Sequence, residues 1–171
     1  MIRFLVLKRL NSEERALGVP LDYLRYIVRT SLRSFFKFSL FMPLAQHRRS
    51  LPVSPYYVAR LVATRDEDCG TCVQTEVNLA KKAGVPHPVL EAAVHQRPQD
   101  LPEDLAEIYR FTEAVVKATG EETRYRQAIL VRYGEEALVE LSLAIAAARF
   151  FPITKRGLGF ATSCSLVDVK V

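Results

Sequence analysis

Two of the chain's three cysteines, Cys69 and Cys72, stand three apart in RDEDCGTCVQTEVNLAKKAG (residues 65–84), with Glu76 one turn beyond. On a helix, Cys69, Cys72, Val73, Glu76, Val77 and Ala80 fall on one stripe, while Gln74, Asn78, Lys81 and Lys82 lie elsewhere. A stripe that would ordinarily be apolar therefore carries two thiols and a carboxylate. Side chains three apart on a helix have Cβ atoms about 5–6 Å apart. A small local adjustment brings that to the roughly 3.5–4.5 Å Cβ separation of a disulfide. The partial positive charge of a helix N-terminus lowers a thiol's pKa and raises its thiolate fraction. Gly70 and Thr71 are small and leave the sulfurs approachable. This spacing suits reversible thiol–disulfide chemistry.

The acidic run Asp66, Glu67, Asp68 pulls the other way, because negative charge beside a thiol disfavours the thiolate. Glu76 acts in either direction. Ionised, it would hold Cys72 protonated; buried and neutral, it would exchange a proton with the sulfur. Glu67 and Asp68 are further candidates for a proton relay. So is His87, set between two prolines just after the cysteine helix. The structural alternative is that small cysteines fill a tight helix crossing while Glu76 bonds a neighbouring side chain. Zinc needs four ligands, and no second CxxC or closely spaced histidine pair accompanies the first; Cys164, His87 and His95 are scattered. Neither a metal nor a bound cofactor is expected.

The elements that must position these groups read as helices. The 171 residues, 49% hydrophobic and 25% charged, suit one globular domain. The net charge of +5 is dispersed and not interleaved with stacking aromatics, so nucleic acid is not an expected partner. Three cysteines do not make a secreted disulfide framework, and a reducing cytoplasm is the expected compartment. The N-terminal apolar run is short, bracketed by Arg3, Lys8 and Arg9, and lacks a cleavage site. No run of eighteen uncharged apolar residues suggests a membrane span. Helical spacing predicts an all-α chain with helices over 2–17, 20–42 and 55–63. Thr64 and Glu67 have the spacing of a capping box, which would start the cysteine helix there and carry it to Gly84. Further helices are predicted over 88–96, 102–118, 121–133 and 135–151, with Pro152 interrupting the last and a short one over 157–164. The 135–151 helix is apolar on most faces, as a central or interfacial helix would be.

CGTCVQTEVNLAKKAGVPHPVLEAAV resembles the core of the AhpD-like, or carboxymuconolactone decarboxylase, superfamily, in which C-x-x-C runs on to A-x-x-A-G and a short helix. The later YRQAILVRYGEEALVELSLAIAAARFFPITKRGLG is similar to its second signature, a glutamate-rich segment leading into an apolar helix that ends in aromatics. The resemblance covers roughly residues 52–160. It implies an oligomeric, AhpD-like helical bundle over 51–171, preceded by a helical extension over 1–50 that packs on it. It also implies a peroxidase in which Cys72 becomes the sulfenic acid and Cys69 resolves it. The helix dipole alone would favour Cys69 as the more acidic thiol. Such an enzyme needs no bound cofactor, takes a hydroperoxide or disulfide as substrate and relies on a dithiol reductant protein. Two positions depart from the pattern. Glu76 replaces a histidine, and no carboxylate occurs between Leu51 and Arg65, where the family has a glutamate near Tyr56 or Tyr57. The superfamily's lactone decarboxylases generally lack a CxxC, so that branch is not the expected one.

A second feature is the basic stripe Arg25, Arg29, Arg33 and Lys37 on the predicted 20–42 helix, which also carries Leu24, Ile27, Val28, Leu32, Phe35 and Met42. A phenylalanine-rich basic amphipathic helix can lie on an anionic membrane surface. The alternative is that its apolar face packs on the core or on a second subunit. Against the enzyme stands a non-enzymatic family member acting as a structural or interaction protein.

Overall fold

Apolar residues at helical spacing become helices over most of the chain in the computed structural model, which describes residues 2–164 and 168–171 and has no strand among them. The first helix, α1 (Ile2–Leu17), ends at Gly18, whose φ of +69° is the left-handed conformation that glycine adopts without strain. The predicted 20–42 helix is three segments: α2 (Asp22–Thr30), α3 (Leu32–Ser39) and α4 (Phe41–Ala45). Ser31 makes the first break. Its backbone is extended (φ −152°, ψ 105°) and its hydroxyl accepts the Ser34 N–H at 3.1 Å, capping α3. The four cations are thereby divided between two helices, and Arg25 turns to Glu14, Asn11 and Asp22.

α5 (Val53–Asp66) is the central helix. It packs against four others: α6 (Gly70–Lys82), α7 (His87–Val94), α8 (Glu103–Lys117) and α9 (Glu122–Gly157); a 3₁₀ turn, Pro98–Asp100, joins α7 to α8. The predicted capping box at Thr64 does not start a helix. α5 runs through Thr64, which is buried and donates its hydroxyl to the Ala148 carbonyl at 3.4 Å. That carbonyl lies four residues before Pro152, whose missing N–H would leave it unpaired. Thr64 supplies the substitute donor, and α9 continues through Pro152 to Gly157 instead of stopping at 151. The predicted helix over 157–164 does not form; residues 160–163 are irregular.

Gly134, at φ 84° and ψ 175°, divides α9 into two arms and matches the predicted boundary between 133 and 135. The second arm buries Leu141, Ala144, Ile145 and Ala148 but leaves Val139 and Ile153 exposed, so α5 and not this arm lies at the centre. By length and composition α9 is apolar enough to cross a membrane; 44% of its most apolar eighteen-residue window is buried within the fold. Its Glu140 is also buried. The carboxylate accepts N–H bonds from Arg49, Ser50 and Leu51 at 2.9–3.1 Å and anchors the loop before α5.

The main core gathers Val58, Leu61, Val73, Val77, Leu90, Ile108 and Leu141. A smaller cluster of Leu10, Leu21, Tyr23, Ile27 and Val28 packs against Leu158 and Phe160, so the N-terminal helices close over the end of α9. Asn78 of α6 donates to the Leu17 carbonyl at 2.6 Å and ties α1 to the cysteine helix.

Candidate redox site

The chain turns between α5 and α6 on three residues. Glu67 caps the end of α5, Asp68 takes a left-handed φ of 46°, and Cys69 (φ −124°, ψ 89°) is the N-cap of α6. The cysteine pair thus occupies a helix N-terminus, as its chemistry favours, but a helix that begins at Gly70 and not at Thr64. Cys69 and Cys72 are joined as a disulfide, with Cα atoms 5.2 Å apart. Their environments differ. Cys69 is fully buried, whereas Cys72 is half-buried. The Cys72 N–H donates to the Cys69 carbonyl at 2.9 Å, and the Gly70 N–H donates to the Thr162 carbonyl at 2.9 Å. The segment after α9 therefore lies against the start of the cysteine helix. Cys164, in that segment, is a free thiol whose pKa burial pushes up.

The acidic run does not act on the sulfurs unopposed. Glu67 is buried and accepts from Arg149 Nε at 2.5 Å, and the same guanidinium lies 3.7 Å from Asp66. Arg156 donates to the Glu67 and Asp68 carbonyls. The Asp68 carboxylate accepts the Cys164 N–H at 2.8 Å and the Ser163 hydroxyl at 3.0 Å; these bonds hold its pKa below the usual value. Lys155 reaches in from the last turns of α9. Its Nζ donates to Thr71 Oγ1 at 2.5 Å and lies 5.6 Å from the centre of the Tyr23 ring. Burial lowers the Lys155 pKa, and the charge of Asp22 offsets part of that effect.

Glu76 continues the predicted stripe and is buried, but both its oxygens are taken. Arg60 Nε donates to Oε2 at 2.7 Å and Nη2 to Oε1 at 2.6 Å, a bidentate salt bridge between helices α5 and α6. The third Arg60 nitrogen, Nη1, donates to the Ala45 carbonyl at 2.8 Å, which also accepts the Tyr56 hydroxyl at 2.6 Å. Burial alone would lower the Arg60 pKa. The charge and hydrogen bonds of Glu76 outweigh it and hold the pKa above its ordinary value. His87 stands apart from these groups. It is exposed at the start of α7, and its Nε2 lies 3.3 Å from the Val171 carbonyl.

Sequence reasoning therefore named Cys69, Cys72, Glu67 and Asp68, which the fold brings to one turn, and overlooked Lys155, Arg149 and Arg156. The available signal was three cations at the end of an otherwise apolar helix, opposite in charge to the acidic run. Arg60 left no comparable trace, since a lone arginine in an apolar stretch does not identify its partner. Among the described residues, no group of three His, Cys, Asp or Glu side chains is placed to hold a metal ion. A cleft of about 570 Å³ lies between α1 and α2, lined by Lys8, Glu14, Arg15 and Arg25, away from the cysteines.

Fold and site together define an all-helical chain with a CxxC disulfide at the start of a core helix. No family model, curated protein or solved structure matches the chain.

Proposed function

We propose that this chain is a thiol-dependent oxidoreductase of the AhpD-like kind, reducing hydroperoxides through Cys69 and Cys72. The observation that carries the reading is the unequal burial of two bonded cysteines at a helix N-terminus: Cys72 meets solvent and Cys69 does not. In the reduced chain the Cys72 thiolate attacks one oxygen of ROOH. The O–O bond breaks, RO⁻ leaves and is protonated to the alcohol, and Cys72 is left as a sulfenic acid. The Cys69 thiolate then attacks that sulfur and displaces hydroxide, which takes a proton and departs as water. A dithiol protein returns the resulting disulfide to two thiols and is itself oxidised. The order agrees with the roles that the family resemblance implies for the two cysteines. Glu76 stands where the family carries its proton-transfer histidine, the family's glutamate would fall near Tyr56 or Tyr57, and Glu76 is occupied by Arg60.

The test is a count of free thiols in the pre-reduced protein before and after one equivalent of hydroperoxide. Loss of two thiols per chain, abolished by Cys72→Ser, is the expected result. Retention of all three thiols would favour the competing reading, a structural or interaction protein. The buried Arg60–Glu76 pair, which turns a relay position into a structural tie, favours that reading. In the enzymatic reading the protein is a cytoplasmic homo-oligomer.

A further inference from the structure

We propose that Lys155, acting through the Thr71 hydroxyl, is the positioning residue that stabilises the Cys69 thiolate whenever the Cys69–Cys72 disulfide opens. This rests on the reading of the pair as redox-active. A reductant thiolate reaches the half-buried Cys72 sulfur and not the fully buried Cys69. Its attack forms a mixed disulfide with Cys72 and breaks the Cys69–Cys72 bond, whose electron pair leaves on Cys69. The reductant's second thiolate then attacks its own sulfur in the mixed disulfide. That releases the Cys72 thiolate and leaves the reductant as a disulfide, so two electrons have passed to the pair. The first step places a negative charge on a sulfur with no access to water. An anion in that position needs a donor and a counter-charge.

Both are in place. Thr71, between the two cysteines, has Oγ1 3.8 Å from Cys69 Sγ. That oxygen already accepts a hydrogen bond from Lys155 Nζ at 2.5 Å, so its own proton is free to point at the sulfur. Lys155 is 7% exposed. Facing it are Asp22 and Tyr23 from α2 and Thr71 from α6; the Tyr23 ring is 5.6 Å away. The carboxylates of the preceding turn are engaged elsewhere, Asp66 and Glu67 by Arg149 and Asp68 by Ser163 and Cys164. In the disulfide form the ammonium is a nearly buried cation whose hydrogen bond goes to a neutral hydroxyl. Reduction supplies the missing anion one hydroxyl away. Its depressed pKa is the signature of a poorly solvated cation in that position. The arrangement favours the reduced form and makes the disulfide a stronger oxidant than it would be without the lysine, as stabilised thiolates do in general.

The experiment equilibrates the full chain, in a Cys164→Ser background, with glutathione redox buffers and reads the fraction of disulfide. Lys155→Met should shift the equilibrium constant toward the disulfide by about tenfold, the worth of a hydrogen bond to a charged group. Thr71→Val should shift it the same way, and Lys155→Arg should restore most of the loss. With Cys72 also replaced by Ser, the ultraviolet thiolate absorbance of Cys69 should titrate at higher pH in Lys155→Met than with Lys155 present. Equal redox constants and equal titrations in folded Lys155→Met and Thr71→Val proteins would overturn the inference while leaving the oxidoreductase reading intact. A wild-type pair that neither opens nor closes in these buffers would overturn both.

Discussion

Arg60 and Glu76 meet in the interior with every polar atom of the pair that faces the other engaged, and the remaining guanidinium nitrogen is taken by Ala45. Such a pair adds little relative to a well-packed apolar one, but losing one partner strands the other as a buried charge. Glu76→Gln should therefore lower the unfolding free energy by about 3–5 kcal/mol. Arg60→Met combined with Glu76→Met should recover much of that loss, as measured by urea unfolding. A Glu76→Gln protein as stable as the parent, but with slowed oxidation of Cys72, would reverse the assignment and make Glu76 a proton carrier. Glu140 presents a different balance. Burial alone would raise its pKa, yet the N–H groups of Leu51, Ser50 and Arg49 outweigh it and hold the pKa below the ordinary 4.5. A carboxylate whose folded pKa is depressed stabilises fully above its unfolded value and loses that contribution as pH falls through the folded value. Glu140→Gln should cost about 2 kcal/mol at neutral pH, from lost charge-assisted bonds. The gap between it and the parent should close as the pH falls below 4.5, where denaturation midpoints compared across that range will detect it.

At the scale of the elements, the break at Ser31 rests on one cap. Ser31→Ala removes the acceptor for the Ser34 N–H and should cost about 1 kcal/mol, read as a lowered thermal midpoint. A Ser31→Ala protein of unchanged stability would mean that the break is held by packing alone. That break was not legible in the sequence, since Thr30 and Ser31 lie within an unbroken apolar rhythm and neither is glycine or proline. Most helices were legible, because the positions that α8 and the second arm of α9 bury recur at helical spacing. So was the boundary at Gly134, a glycine at the end of a periodic run. The misreadings share a physical cause. Thr64 and Glu67 have capping-box spacing, yet the Thr64 hydroxyl goes to Ala148 and the Glu67 carboxylate to Arg149, more than eighty residues away. Pro152 looked like a stop for the same reason, since the donor that makes it tolerable lies on another helix. Local rules find the start of a helix only when local partners win. The site divided along the same line, with the cysteines visible from their spacing and the Lys155–Thr71 contact visible only once α9 had folded back on α6.

For the whole molecule, the main core around α5 carries the cysteine helix, while the second cluster clamps the N-terminal helices onto the end of α9. Several large apolar side chains of α3, α4 and the end of α9 are exposed. Phe36, Leu40, Phe41, Met42 and Ile153 are all more than a third exposed, and Phe41 stacks on Phe150 with ring centres 3.8 Å apart. Under the proposed homo-oligomer this is the face to be covered. Sedimentation at micromolar concentration should give a species larger than a monomer, and Leu40→Asp should shift it toward monomer; a monomer alone would remove the idea. Gly134 has a consequence at the same scale. A backbone at φ 84° and ψ 175° interrupts the ladder along which helical order propagates. The arm before it buries Ile129 alone among its residues, whereas the arm after it is anchored by Ala137, Leu141, Ala144, Ile145 and Ala148. The two arms are therefore separate opening units. Residues 122–133 can fray and re-form, exposing their amides, while the cysteine end of the bundle stays closed.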